Sequence, residues 1–198
     1  MFSGLKWEMG GHRMSDAGTA VMTAEQLMRL PSCGKRYELK RGELLMTTPS
    51  GALHGDVTMA LGALMRVYAN QKKLGKVLAA ETGFKIHSDP DTVRAPDVAF
   101  VAQERIPPTG VPRGYWELAP DLVVEVVSPN DSAAEVQDKI EEWLNAGVRR
   151  VWVVYPDTQT IHVYHSLKEV TVLKPGDKLD GEDVLPGFSC AVKEIFAS

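Results

Sequence analysis

The feature that most restricts this chain is an almost unbroken apolar run, Asp121–Val127 (DLVVEVV), followed by a helical stretch and a second run, Val151–Tyr155 (VWVVY). A strand apolar on both sides has to be covered on both faces, which is the setting of inner, parallel strands. The intervening Ala133–Ala146, ended by Gly147, has the length and period of a helix. Strand, helix and strand in that order read as a right-handed crossover between two parallel strands. The expected fold is therefore α/β (α+β), with a mixed central sheet flanked by helices.

The flanking segments fit that frame. Thr23–Leu30 reads as a short helix capped by Thr23 and stopped by Pro31. Arg36–Met46 reads as two short strands around a turn at Arg41-Gly42. His54 precedes an amphipathic helix whose Val57, Leu61, Leu64, Met65 and Tyr68 share one face, and Gly75 is the residue expected to end it. Val77–Ile86, Val98–Val101, Ile161–Tyr164 and Val170–Leu173 are strand-like. The last two form an antiparallel meander entered through a turn at Pro156–Gln159. Residues 1–21 lack a period and read as a flexible leader, with Met14 as an alternative start; residues 22–198 read as a single domain.

Composition removes several classes of function. Two cysteines far apart, Cys33 and Cys190, exclude a disulfide framework and a cysteine zinc site; both read as packing residues in a reducing compartment. No apolar run reaches the roughly 18 residues that span a bilayer, so no membrane role and a cytoplasmic location are expected. A net charge of -4 means that any contact with nucleic acid must rest on local clusters. These are Lys35, Arg36, Lys40 and Arg41, then Lys72, Lys73 and Lys76, then Arg149 and Arg150, each of which reads first as solvated surface charge.

Three charged residues stand out from that surface. Glu125 sits inside LVVEVV, where a carboxylate loses hydration and needs a cation, a metal or hydrogen bonds in return. Alternation puts it on one face with Val123 and Val127. The competing reading is a sheet-edge glutamate, or one paired with an arginine such as Arg94. Asp97, after Pro96, directly precedes the strand VAFV and lies one structural unit before Glu125. Carboxylates from adjacent strands can converge on Mg²⁺, which favours hard oxygen ligands and keeps several waters. Lys139 falls on the margin of the buried stripe made by Val136, Ile140, Trp143 and Gly147, whereas Asp138, Glu141 and Glu142 fall outside it. It can lean over the sheet end that holds Glu125, or snorkel at the helix edge. His54 reads as a proton shuttle or phosphate ligand, or simply as a helix-initiating polar residue. His162 and His165 point to opposite faces of a strand and are given no role.

Asp97 after Pro96, followed by Glu125 in the next strand, resembles the PD-(D/E)XK nuclease superfamily. The wider pattern is similar to one bacterial branch of it, the putative restriction endonuclease family. The stretches that carry the resemblance are YELKRGEL, the His54 region, AETGFKI, APDVAFV, LVVEVVSPND and the K-x-x-x-W helix followed by AGV and VWVV, from about residue 23 to residue 196. It implies a restriction-endonuclease-like sheet with flanking helices and Mg²⁺-dependent hydrolysis of DNA phosphodiesters, Mn²⁺ being a possible substitute. It also implies that Asp97 and Glu125 bind the metal with the Val126 carbonyl, and that Lys139 is the catalytic lysine. Glu38 and His54 match further motif positions, and Glu81 is another candidate. One position departs from the superfamily: its lysine lies two residues after the second acid, where this chain has Val127. The helix must then supply the charge through Lys139. Glu38-Leu39-Lys40 spells a literal ExK but follows no Pro-Asp, so Lys40 reads as surface and Glu38 as an accessory acid. Cutting both strands of a duplex implies a homodimer. Two readings compete: a catalytically inactive nucleic-acid or protein-interaction module on the same fold, and a metal-dependent phosphoesterase acting on RNA or nucleotides.

Overall fold

The structure is a computed structural model, and it describes residues 21–31 and 35–197. The leader expected over residues 1–21, apart from Val21, and the packing role expected of Cys33 lie outside the described residues.

Helix α1 (Ala24–Met28) is opened by a capping box in which Thr23 and Gln26 bond each other's backbone. Strands β1 (Arg36–Lys40) and β2 (Glu43–Thr47) form a hairpin. Its turn residues, Arg41 and Gly42, both have positive φ, the left-handed geometry that matches the twist of paired strands. Helix α2 (Ala52–Lys72) buries Val57, Leu61, Met65 and Ala69. It begins before His54 and not after it, so His54 is a first-turn residue. It ends at Lys73, whose left-handed backbone closes the helix, so Gly75 is the first residue of the next strand and not the terminator.

The run expected as one strand over Val77–Ile86 is two. Strand β3 (Gly75–Ala79) and strand β4 (Phe84–His87) belong to different sheets. Between them Glu81 takes φ +69°, and the Tyr115 ring lies so close over Gly83 that a Cβ there would sit 2.4 Å from it. Strand β5 (Thr92–Arg94) follows, then β6 (Val98–Ala102), β7 (Leu122–Val126), helix α3 (Ala133–Asn145), β8 (Arg150–Tyr155), β9 (Thr160–Ser166) and β10 (Glu169–Leu173). The chain closes with a small pair, β11 (Lys178–Asp180) and β12 (Ser189–Ala191), and a short helix, α4 (Val192–Ile195).

Six strands form the central sheet in the order β10-β9-β8-β7-β6-β3. Only β7 and β8 pair in parallel; every other neighbour is antiparallel. One face packs Val98, Phe100, Val124, Val126 and Trp152 against α2 and the C-terminal elements. The opposite face packs Ala99, Val101, Val123, Val151 and Val153 against Ile140 and Trp143 of α3. This is the mixed sheet flanked by helices expected from the sequence. Covering both faces explains why β7 is apolar at every position but Glu125. A second, antiparallel sheet in the order β2-β1-β5-β4 packs Leu39 and Val93 against Ala24 and Leu27 of α1.

Candidate active site

Glu125 belongs to the α3 face of β7, by the alternation that also points Val123 there. The neighbouring strand runs antiparallel in a register that pairs Val98 with Val124. One step further along that register Asp97 falls opposite Glu125. The ladder is not continued by backbone alone at this point: Val126 N–H donates to Asp97 Oδ2 at 2.8 Å. His54 Nε2 approaches the same oxygen at 3.1 Å from the first turn of α2. Asp97 and Glu125 are recessed, at 8% and 7% exposure.

Helix α3 closes over Glu125 with two donors one turn apart. Lys139 Nζ lies 3.4 Å from Oε2, and Trp143 Nε1–H donates to Oε1 at 2.8 Å. Burial pushes the Glu125 carboxyl up to about 7; Lys139 pulls it down, and the charges of Asp97 and Glu38 push it further up. Glu125 in turn holds the Lys139 ammonium above its ordinary range against the effect of burial. Lys139 therefore stays charged at neutral pH and cannot serve as a base. His54 is also raised, first by its hydrogen bond to Asp97, with burial opposing.

Arg94 does not pair with Glu125, which removes the arginine-paired reading of that residue. It sits 5% exposed between two other acids, donating to Glu38 Oε2 at 2.7 Å and to Glu142 Oε2 at 2.6 Å. The second Glu38 oxygen accepts from Ala95 N–H at 2.9 Å, so both Glu38 oxygens face the segment that leads into Asp97. Lys40 reaches Asp138 and Glu142 at 3.1 and 3.2 Å. Glu142, expected on the exposed side of α3, is thus turned toward the small sheet. Period alone could not find it, because its partner lies on a strand too short to be seen in the sequence. Glu81 pairs with Arg36 at 2.8 Å on the rim. Arg149 and Arg150 are bound by Glu182 and Asp183, which removes one of the basic clusters from the pool of free charge.

These groups border a cleft of about 810 Å³ lined by Glu38, His54, Asp97, Glu125, Val126 and Lys139, among others. Of the four Pro-Asp pairs, only Pro96-Asp97 opens into it; Asp91 pairs with Lys85 at 3.1 Å. Asp121 instead accepts from Ala102 N–H at 2.8 Å and pairs with Arg105. Asp157 lies in the turn that joins β8 to β9. The sequence marks Trp143 only as a core residue; the N–H of its ring gains a partner because Glu125 faces it.

The donor set suits a hard divalent cation. The oxygens that Asp97 and Glu125 present are those of carboxylates, and two recessed acids of like charge would relieve their repulsion by sharing a cation. Among the described residues no three His, Cys, Asp or Glu side chains form a ready-made cage. The fit is to an ion that retains several waters, as Mg²⁺ does, and not to one that demands a full protein shell.

Among the described residues no helix is long and apolar enough to cross a membrane. The family described as Uma2, Putative restriction endonuclease, matches residues 24–193. Among solved structures the chain is similar to a putative nuclease belonging to DUF820 from Anabaena variabilis, with a TM-score of 0.76 and 22% identity. That likeness covers 88% of this chain and 97% of the other, and it concerns the fold. No curated protein matches the chain.

Proposed function

This chain belongs to the Uma2 family, Putative restriction endonuclease, and from that premise we propose that it is a Mg²⁺-dependent endonuclease hydrolysing DNA phosphodiester bonds. The observation that carries the reading is the meeting of Asp97, Glu125 and Lys139 at one end of the β6–β7 pair, in a cleft open to solvent.

Asp97, Glu125 and the Val126 carbonyl are the groups that would hold the ion. When bound, it would lower the pKa of a water and neutralise charge on the scissile phosphate. Val126 N–H and His54 fix Asp97 by one oxygen, so the carboxylate is oriented before substrate arrives. Lys139 brings a permanent positive charge beside Glu125, where it orients the attacking water and stabilises the extra negative charge of the pentacoordinate phosphate. Glu38 acts at one remove: with Arg94 it ties the approach to Asp97 onto α3, which carries Lys139. Cutting both strands of a duplex needs two such centres, and a homodimer is part of the proposal.

The test is nicking of supercoiled plasmid in Mg²⁺ or Mn²⁺, beside the Asp97→Ala variant. Metal-dependent relaxation by the wild type and none by the variant is expected; equal activity in both overturns the assignment. The net charge of -4 favours one competitor, an inactive interaction module on the same fold, which predicts no relaxation under any metal.

A further inference from the structure

Beside the carboxylate cleft lies a second cavity, of about 750 Å³, between α2 and β3. Gly55, Met59 and Gly62 form its helical wall, and Val77 to Ala80 form the other. Val77, Leu78 and Ala79 are consecutive in β3 and cannot all point one way, so it is the edge of β3 that borders the cavity. β3 is the outer strand of the central sheet and pairs only with β6. Its Val77 carbonyl accepts from Arg66 Nη1 of α2 at 2.5 Å, across the space between the two walls. The helical wall is cut back by glycine: a Cβ at position 55 would meet nothing within 4 Å, and one at 62 would only touch Val98 at 3.4 Å. The cavity thus offers apolar surface beside a polar backbone edge, the mixture that holds a flat heteroaromatic ring by its faces and its rim.

Its position gives that mixture a purpose. His54 and Asp97 line this cavity as well as the cleft. A nucleotide whose phosphate is held by an ion at Asp97 therefore carries its base next to the glycine-lined groove. A base can enter such a groove only after leaving its stack. We propose that the α2–β3 cavity receives a nucleobase turned out of the strand beside the scissile phosphate. This rests on the nuclease reading of the cleft. It makes strands that unstack readily, such as single strands and frayed or mismatched duplexes, the preferred substrates.

The experiment uses the full chain with oligonucleotides carrying 2-aminopurine, whose fluorescence rises on unstacking. Binding is followed separately by anisotropy in Ca²⁺. Bound DNA should brighten severalfold. Gly62→Phe, which fills the groove, should abolish the rise while circular dichroism stays unchanged. Met59→Glu, at a position 69% exposed and so harmless to folding, should reduce it. In Mg²⁺ the wild type should cut an ordinary strand roughly tenfold faster than one with an abasic site at that nucleotide, and Gly62→Phe should cut both alike. Binding without brightening overturns the proposal, as does brightening that survives both substitutions. A change of oligomeric state in Gly62→Phe with the fluorescence response intact also overturns it, and assigns the groove to a protein partner. Brightening with no cleavage of any substrate supports the base cavity and removes the nuclease reading; cleavage with no brightening does the reverse.

Discussion

Trp143 and Lys139 lie one helical turn apart and divide Glu125 between them, the indole taking Oε1 at 2.8 Å and the ammonium facing Oε2 at 3.4 Å. The buried acid is thereby anchored on one oxygen by a neutral donor that never titrates, and on the other by a charge that stays fixed at neutral pH. Trp143→Phe keeps an aromatic ring in the core, removes the anchor and gives up part of the packing. The variant should lose at least about 1.5–3 kcal/mol of stability, the value of a hydrogen bond to an ionised group, with the cavity left by the smaller ring adding to it, read by urea denaturation at pH 8. Its pH–rate profile should move to higher pH, because the indole N–H is one of the forces holding the Glu125 carboxyl down. An unmoved profile would show that the indole acts only as filler.

Glu125 also makes a prediction about stability and pH. Its folded value of about 7 stands above the ordinary 4.5, chiefly through burial. Between those two values the folded chain holds a proton that the unfolded chain has released. This contribution to stability therefore falls as pH rises from about 4.5 to about 7, then levels off. Glu125→Gln should remove the decline. Its stability relative to wild type should rise over that window by on the order of 3 kcal/mol, measured by chemical denaturation without divalent cations. Adding Mg²⁺ to the wild type should recover part of the same amount above pH 7, since a bound cation favours the ionised carboxyl. A flat difference between the two proteins from pH 5 to pH 8 would contradict the buried-acid account.

The arrangement assigns different losses to the acids and to the lysine. Asp97→Ala should abolish both Mn²⁺ binding, read by calorimetry, and plasmid cleavage. Lys139→Ala should retain most of the metal affinity while losing about a hundredfold or more in turnover, the scale of removing one preorganised charge from a transition state. Wild-type cleavage by the lysine variant would show that the helix cation is not part of the chemistry.

Arg94 lies 5% exposed between Glu38 and Glu142. Arg94→Met leaves two part-buried acids facing each other across the gap between the small sheet and α3. Breaking a buried pair in this way typically costs about 3–5 kcal/mol, and a comparable drop in unfolding free energy is expected. The double variant Arg94→Met with Glu142→Leu should recover part of it by removing one stranded charge. No recovery would mean that the network is not the seat of the loss.

Much of this was legible in the sequence because β7 is an extreme case. Five apolar neighbours leave Glu125 no solvent, and strand alternation fixes which way it faces. The helix period brought Lys139 to the correct edge of α3. The run Val77–Ile86 misled because apolar content does not record a change of sheet; the break depends on the backbone of Glu81 and on Tyr115 lying over Gly83, a contact distant in sequence. β5 and β11 are three residues each, too short for any period to register. Without β5 the sequence offers Arg94 only as a partner for Glu125, and the reason Glu38 and Glu142 face inward stays hidden.

The one parallel pairing of the central sheet, β7 with β8, has a consequence for when the centre can exist. Glu38, His54, Asp97, Glu125 and Lys139 are all synthesised before Arg150–Tyr155, yet β7 acquires its second neighbour only when that later strand docks. A nascent chain halted after α3 would hold all five side chains and lack the strand that aligns them. Their alignment is thus deferred until the far half of the sheet is in place.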